Sequence, residues 1–345
     1  MSSPFRSRAA LLAAALAIPA GVLHAGSPIV VLREQPVIDQ WVYPFSSNPG
    51  TSPFASVFAS KLPEGFTTLF DNRDGQALVV FDVLGAAPRG TQLVSARVLM
   101  RTNTDNTFQF DPTPDSYTTW LLSDEEGYEP DRDPGRAIEL FGVGLRNGLG
   151  PLSFSEAIPF SFVGPFGQHI RNAHPIAFNS PRVDLDVSNN VQLAFDPVAF
   201  AVGDLPELAP GDLVPVGSDV VFDLDLDDPQ IRGYVEASIA QGRLFLVVAS
   251  LFETEQQGSG TFPSFFTKEN ALVVGGVERC GRLELVFDDE AGLVGDLDGD
   301  GAVNGADLGQ LLSAWGECPG CPEDLDGDGF VDGSDLGTLL ANWTG

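Results

Sequence analysis

The chain has little positive charge. Its 345 residues include 18 lysines and arginines against 48 aspartates and glutamates, which gives a formal net charge of −30. Proteins that bind nucleic acid neutralise phosphates with clustered basic side chains, and no lysine or arginine follows Arg282. The composition therefore predicts no nucleic-acid partner, and we interpret the excess of acid mainly as a solvated surface.

Cysteine is also scarce, since three residues are too few for a disulfide-rich scaffold. Cys318 and Cys321 allow two interpretations: a local disulfide that stiffens the segment, or a Cys-x-x-Cys redox centre. A redox pair usually opens a helix, and Pro319 and Pro322 oppose a helix here. We expect Cys280 to be a buried free thiol.

Signatures of catalysis are missing as well. The sequence contains no Gly-x-Ser-x-Gly turn, and after the N-terminal segment its histidines are His169 and His174, which we assign to a solvated loop over 167–175. Paired carboxylates can hydrolyse glycosides, but no motif singles out Glu139, Glu284 or the acids that alternate along predicted strands. We predict no catalytic residue.

Long apolar runs are absent except at the N-terminus. Arg6 and Arg8 precede an Ala/Leu-rich run over 9–23, and Ala25 is a small residue suited to cleavage. This pattern is typical of a secretory signal peptide over residues 1–25 and is too short for a membrane helix. We expect a secreted, extracellular protein without a membrane span, cleaved near Ala25.

Residues 26–290 are rich in β-branched and alternating runs, punctuated by many of the chain's 38 glycines and 26 prolines. The pattern predicts a mainly β fold, a large antiparallel jelly-roll-like β-sandwich. One helix is predicted, with Asp228 as cap, Pro229 in the first turn and Gly242 after its end. The predicted strands cover 28–32, 77–83, 92–101, 137–143, 182–187, 191–195, 220–226, 243–249, 271–274 and 282–287.

A short part of this region resembles a known family. Residues 71–73 read Asp-Asn-Arg, a predicted strand ends in Phe-Asp at 81–82, and a turn leads to a strand with Ser-Ala at 95–96. Residues 71–105 are similar to the DNRLRE family of secreted bacterial β-sandwich proteins, with Asp74 in place of the usual Leu. The resemblance implies an extracellular, carbohydrate-associated β-sandwich.

Four aromatic residues are candidates for stacking on a sugar, namely Trp41, Tyr43, Tyr117 and Trp120. Trp120 follows a loop rich in Pro, Asp and Thr, which makes it the candidate polysaccharide-binding residue. The alternative for all four is core packing, because most Trp in such folds is buried on one ring face.

The C-terminal part repeats one acidic unit with an offset of 28 residues, from Asp296 to Asp324. Each copy places oxygen ligands at loop positions 1, 3, 5, 9 and 12 and Gly at position 6, and position 7 offers its backbone carbonyl. This spacing lets a twelve-residue loop wrap a calcium ion. The predicted ligands of two Ca²⁺ ions are Asp296, Asp298, Asp300, Ala302, Asn304 and Asp307, and Asp324, Asp326, Asp328, Phe330, Asp332 and Asp335.

Each loop precedes a stretch with apolar residues at helical spacing. We expect the two helices to pack against each other, with Leu312 and Leu340 at the seam. The apolar positions are Leu308, Leu311, Leu312 and Trp315, and Leu336, Leu339, Leu340 and Trp343.

Residues 295–345, with Asp rather than Glu at loop position 12, resemble the type I dockerin domain. The resemblance implies a small α-helical module of two calcium-binding loop-helix units that docks to a cohesin. The expected function is a non-catalytic β-sandwich attached to a cohesin-like protein or a cell-surface component and associated with polysaccharide. The alternatives are a polysaccharide-active enzyme (glycoside hydrolase or lyase) delivered by this module, and a module that only caps the sandwich.

Overall fold

The protein is described by a computed structural model that covers residues 28–43, 46, 48–61, 73–88, 91–157, 160–163, 168–180, 186–255, 262–289, 294–300 and 302–344. The fold is mainly β. The expected signal segment over 1–25 and residues 71–72 of the Asp-Asn-Arg motif lie outside these ranges. None of the helices in the ranges is both long and apolar enough to cross a membrane.

The elements of the described residues follow in chain order. The strands are β1 (Ile29–Arg33), β2 (Ile38–Val42), β3 (Phe54–Ser56), β4 (Ala59–Lys61), β5 (Gln76–Asp82), β6 (Thr91–Arg101), β7 (Ile138–Leu145), β8 (Phe160–Val163), β9 (Gln168–Arg171), β10 (Ala173–Ile176), β11 (Ala201–Val202), β12 (Asp219–Asp223), β13 (Arg243–Ser250), β14 (Glu253–Glu255), β15 (Ser264–Phe266), β16 (Arg282–Asp289), β17 (Gly316–Glu317) and β18 (Phe330–Val331). The helices are α1 (Pro229–Gln241), α2 (Ala271–Val274), α3 (Gly305–Ser313) and α4 (Gly333–Ala341), with short 3-10 turns at Pro49–Thr51, Tyr117–Trp120 and Val187–Asn189.

Two antiparallel sheets form the body of the molecule. The first has the order β1-β16-β6-β12, and the second has the order β10-β7-β13-β5-β2 with β11 beside β7. Among the short pairs, β14 and β4 run parallel, whereas β15–β3, β8–β9 and β17–β18 are antiparallel. The sequence prediction of a mainly β body with antiparallel sheets is confirmed.

The two sheets share one hydrophobic core, as in a β-sandwich. Val98 from β6 and Leu283 and Leu285 from β16 point into it from the first sheet, and Phe81 and Leu244 do so from the second. The inward residues of β16 alternate with half-exposed ones because successive side chains of a strand point to opposite faces. This alternation is the pattern that predicted the strand.

The second sheet is buried on both faces, which explains its continuous apolar runs. Along β13, Leu244 and Leu246 belong to the central core, whereas Phe245 and Val247 belong to a second core on the outer face. Phe154 covers that outer face and meets the ring of Phe245 with centroids 5.6 Å apart.

Helix α1 forms where its terminal signals predict it. The side chain of Asp228 accepts hydrogen bonds from the N–H groups of Gln230 (2.7 Å) and Ile231 (3.4 Å), which satisfies two free donors of the first turn. Gly242 ends the helix with φ of 89°, a left-handed conformation that suits glycine. Ile231 and Val235 are buried in the central core.

Two predicted strands and one predicted loop differ from the structure, and a third predicted strand lies mostly outside the described residues. The run 271–274 is helix α2, because Asn270 caps it by accepting from the N–H of Leu272 and a short apolar run fits either element. The run 191–195 is a turn held by the amide of Asn190 on the Phe195 carbonyl. Of 182–187, the residues up to 185 lie outside the described ranges, and Val187 begins a 3-10 turn. The segment 167–175, expected to be a loop, contains β9 and the first three residues of β10.

Candidate metal centres

Each acidic loop leads directly into a helix through a capping box. The side chain of Asn304 accepts a hydrogen bond from the N–H of Ala306 (2.9 Å), and the carboxylate of Asp307 accepts one from the N–H of Asn304 (2.8 Å). Reciprocal bonds of this kind satisfy free donors at a helix start. Asp332 and Asp335 make the same pair of bonds at the start of α4. Loop positions 9 and 12 therefore also fix the start of the helix.

Three of the predicted ligands converge in each loop. Carboxylate oxygens of Asp296, Asp298 and Asp307 all lie within 4.8 Å of one another, and the equivalent residues of the second loop form the same arrangement. Oxygens bound to one calcium ion are at most about twice the 2.3–2.6 Å bond length apart. The carboxylates at positions 1, 3 and 12 thus fit one ion in both copies, and the second set is Asp324, Asp326 and Asp335.

Several of the remaining predicted ligands contact one another. In the first loop the Asn304 amide nitrogen is 3.2 Å from the carbonyl oxygen of Ala302 and 3.4 Å from Oδ2 of Asp300. In the second loop Oδ1 of Asp328 accepts from the N–H of Phe330 (2.9 Å). Positions 5, 7 and 9 of the first loop therefore lie close together, and Asp300 at position 5 is not one of the three converging carboxylates.

The loops concentrate negative charge. Desolvation and the charges of Asp300, Asp307 and Asp296 raise the pKa of Asp298. At position 12 of the same loop, desolvation is outweighed by backbone N–H donors, which hold the pKa of Asp307 below its usual value. A cation at the triad would relieve the repulsion that raises the pKa at position 3.

The second loop shows the same division. Desolvation and neighbouring carboxylates outweigh the N–H of Asp328 and raise the pKa of Asp326, whereas N–H donors led by that of Asp332 lower the pKa of Asp335. The two copies thus agree in electrostatics as well as in geometry.

A small core joins the two units, but its members differ from the prediction. Leu311 and Leu339 are fully buried, together with Val303 and Val331 at loop position 8. The expectation that Leu312 and Leu340 form the seam is wrong, because both are 51% exposed.

The reason is that the loop valines and the β17–β18 pair set which side of each nine-residue helix is covered. An apolar residue at loop position 8 in both copies, Val303 and Val331, is the sequence signal for this core that helical periodicity does not include.

The two paired cysteines lie beside this core. Cys318 and Cys321 form a disulfide with a Cα–Cα distance of 5.6 Å, and both pack against the buried residues of the module. The interpretation as a local disulfide is confirmed. Cys280 is free and buried, as expected.

Trp120 is not available to a sugar. Its side chain is only 4% exposed and packs with Ala59, Val191 and Leu251, while the guanidinium carbon of Arg136 lies 5.9 Å from its ring centroid. The prediction of an exposed stacking platform is therefore wrong. Ala59, Val191 and Leu251 are distant from Trp120 in the chain, so no local signal near Trp120 indicates its burial.

The other candidates of the sandwich are also engaged in packing. Trp41 stacks on Tyr43 with centroids 5.0 Å apart, and its indole N–H donates to the Ser56 carbonyl (2.9 Å). His174 is buried in β10, where desolvation lowers its pKa to about 4, so its assignment to a solvated loop is wrong. Glu139 and Glu284 lie on different sheets, in β7 and β16.

Comparison with known proteins does not assign this chain to a family. No protein-family model matches the sequence, and no similar protein was found among the curated proteins. Among solved structures, an unassembled KI polyomavirus VP1 pentamer is similar at 11% identity and a TM-score of 0.22, over 77% of this chain and 97% of that one. A point mutant of the unassembled Washington University polyomavirus VP1 pentamer is similar at 11% identity and a TM-score of 0.21, over 78% and 93%. Likenesses at these TM-scores carry no argument about fold or function.

Proposed function

We propose that the protein is a secreted, non-catalytic β-sandwich whose C-terminal dockerin-like module binds two calcium ions and attaches it to a cohesin-like protein or a cell-surface component. The observation that carries the proposal is the convergence of three carboxylates, twice and at equivalent loop positions, within 4.8 Å. Repeated carboxylate sets on twelve-residue loops are a usual solution for binding calcium.

Calcium binding would stabilise the module. Its buried core contains Val303, Leu311, Val331 and Leu339, which is little apolar surface for a unit of this size. Calcium that binds the folded module would neutralise the clustered carboxylates, and its binding free energy would add to the stability of the module. Sites of the extracellular class bind with dissociation constants on the order of 10⁻⁴ to 10⁻³ M, which suits a secreted protein.

The exposed apolar side chains of the module support a role in attachment. Leu312 and Leu340 are each 51% exposed, and the tryptophans three residues later, Trp315 and Trp343, are 50% and 41% exposed. Exposed aromatic residues are enriched at protein–protein interfaces. Trp41 and Trp120, in contrast, are largely used in packing within the sandwich. The burial of Trp120 removes the residue that was predicted to stack on a sugar.

Calcium titration of the full chain tests the metal part of the proposal. We expect Asp296→Ala and Asp324→Ala each to remove one bound equivalent in isothermal titration calorimetry, and the double variant to remove two. Glu317→Gln, an exposed acid of the same module outside both triads, is the matched control and should bind as wild type does. Unchanged stoichiometry in the double variant would refute the ligand assignment.

Retention on immobilised cohesin-like protein and on cell-surface preparations tests attachment. We expect retention in calcium and release in EDTA, and we expect Leu312→Ser/Leu340→Ser to lose retention while keeping both calcium equivalents. If the protein binds calcium but is retained on neither surface, the module acts only within this chain and the attachment part of the proposal is wrong.

A further inference from the structure

A third acidic cluster lies in the sandwich, in the segment that connects β6 to β7. Carboxylate oxygens of Asp111, Asp115 and Asp133 lie within 4.8 Å of one another. The sequence separates the first two from the third by more than a dozen residues, so the fold alone brings them together. The three oxygens meet the same 4.8 Å limit as those of the terminal loops, which again fits ligands of one ion.

One oxygen of this cluster is buried and lacks a hydrogen-bond partner. Asp111 is 4% exposed, and its Oδ1 accepts from the N–H (2.9 Å) and the hydroxyl (2.5 Å) of Thr113. Its Oδ2 is shielded from solvent and accepts no hydrogen bond. Leaving a carboxylate oxygen in this state is costly, because no donor offsets the loss of its hydration. A cation bound at this oxygen would supply the missing partner.

Two carboxylates of the cluster compete for the single hydroxyl proton of Thr113. Its Oγ1 lies 2.5 Å from Oδ1 of Asp111 and 2.7 Å from Oδ2 of Asp133. A hydroxyl has one proton to donate, so it can satisfy only one of these two carboxylates. A cation shared by Asp111 and Asp133 would offset the repulsion at the other contact.

Arg136 neutralises only part of the cluster. Its Nη1 lies 3.0 Å from Oδ1 of Asp115 and 3.4 Å from Oδ2 of Asp131, and it also donates to the Thr119 hydroxyl. Among the ion pairs of the described residues, Arg136 contacts one carboxylate of the triad, that of Asp115, and the carboxylate of Asp131 beside it.

A comparable triad elsewhere in the sandwich has its cation built in. Asp39, Glu156 and Glu269 also hold carboxylate oxygens within 4.8 Å of one another. The ammonium of Lys268 forms ion pairs with all three, at 2.9 Å to Asp39, 2.8 Å to Glu269 and at short range to Glu156. Among the described residues, no lysine forms an ion pair with Asp111, Asp115 or Asp133.

We propose that Asp111, Asp115 and Asp133 bind a calcium ion in the sandwich, independently of the terminal loops. The donors are carboxylate oxygens, which select hard divalent cations. Gly135, with φ of 99°, lets the chain after Asp133 approach Asp111, because a Cβ at this position would lie 3.1 Å from the Asp111 Cβ. The ion would tie the two ends of the β6–β7 connection together beside Arg136.

Calcium stoichiometry of the full chain tests this site. In an Asp296→Ala/Asp324→Ala background we expect one equivalent to remain, and we expect Asp111→Asn or Asp133→Asn to remove it. Asp124→Asn, an exposed acid in the same connection, is the control and should keep the equivalent. Because Asp133 is exposed, its substitution tests the ligand set even if Asp111→Asn fails to fold.

Thermal unfolding gives an independent readout. Added calcium should raise the melting temperature of the sandwich in the background chain and in Asp124→Asn, but not in Asp133→Asn. A background chain that binds no calcium, or Asp111→Asn and Asp133→Asn variants that bind as the background does, would overturn the proposal. The proposal of two calcium sites in the terminal loops is tested separately. It fails if Asp296→Ala and Asp324→Ala do not lower the calcium stoichiometry of a chain in which Asp111 is unchanged.

Discussion

The guanidinium of Arg73 and the carboxylate of Glu139 form an ion pair inside the sandwich, with Nη1 and Oε2 2.6 Å apart and side chains only 1% and 6% exposed. The Nε of Arg73 also donates to Oδ1 of Asn190 (3.0 Å), and its guanidinium carbon lies 5.5 Å from the ring centroid of Phe141. Burial raises the pKa of Glu139, although Arg73 acts in the opposite direction. The pair fastens the segment before β5 to β7.

Removing one partner of this pair should be strongly destabilising. Glu139→Gln leaves the Arg73 charge buried without its counter-ion, which typically costs about 3–5 kcal/mol. The matched control is the exposed pair of Arg97 and Asp223, where Asp223→Asn should cost at most about 1 kcal/mol. Urea unfolding of the two variants measures both changes in stability. Equal losses of stability would contradict the conclusion that the buried ion pair of Arg73 and Glu139 holds the two segments together.

Trp120 should matter for stability and not for ligand binding. Trp120→Ala removes a ring that is 4% exposed, and truncations of this kind cost about 3–5 kcal/mol. Trp315→Ala, at a position that is 50% exposed, should leave the unfolding of the sandwich unchanged. Thermal melting of both variants makes the comparison, and a sandwich that melts normally without Trp120 would contradict the packing described above.

Elements with local signals were predictable from the sequence. Strands β6 and β16 follow from alternation, and α1 follows from Asp228, Pro229 and Gly242. The convergence of loop carboxylates at positions 1, 3 and 12 was also readable, because the ligand spacing lies within twelve residues. In each case the interactions that decide the outcome connect residues close in the chain.

Features that depend on distant segments were not predictable in this way. Burial of Trp120 depends on Ala59 and Leu251, and the triad around Asp111 depends on how the β6–β7 connection folds back. The choice of Leu311 over Leu312 as the core residue is set by valines in the loops. Helical periodicity predicts which face of a helix is apolar, but it does not predict which residues of that face the neighbouring elements bury.

The two adjacent leucines of α3 provide a direct test of the module's core. Leu311→Ala removes a fully buried side chain and should cost about 2–5 kcal/mol, whereas Leu312→Ala, at a half-exposed position, should cost much less. The same difference is expected between Leu339→Ala and Leu340→Ala. Helix content by circular dichroism during urea unfolding measures it. Equal effects of the adjacent substitutions would contradict the difference in burial, and larger effects at Leu312 and Leu340 would restore the seam that the sequence suggested.

Asp74 should make the sandwich less stable as pH rises. Burial raises its pKa from 3.8 to about 7, although the neighbouring Ser60 hydroxyl acts in the opposite direction. Between these two values the folded protein retains a proton that the unfolded chain has released, so stability falls as pH increases through this window, by up to about 1.4 kcal/mol per pH unit. Asp74→Asn removes this titration and should flatten the dependence relative to wild type.

Asp39 and His174 also contribute to the pH dependence of stability. Burial raises the pKa of Asp39 to about 7, although Lys268 opposes the shift, and burial lowers the pKa of His174. Their contributions cancel in the comparison of wild type with Asp74→Asn, because both groups are present in each protein. Asp124→Asn, an exposed control, should retain the wild-type slope. Unfolding free energies from urea titrations across the window from 3.8 to about 7 measure the slopes. An unchanged slope in Asp74→Asn would mean that this carboxylate titrates in the folded protein as it does in the unfolded chain.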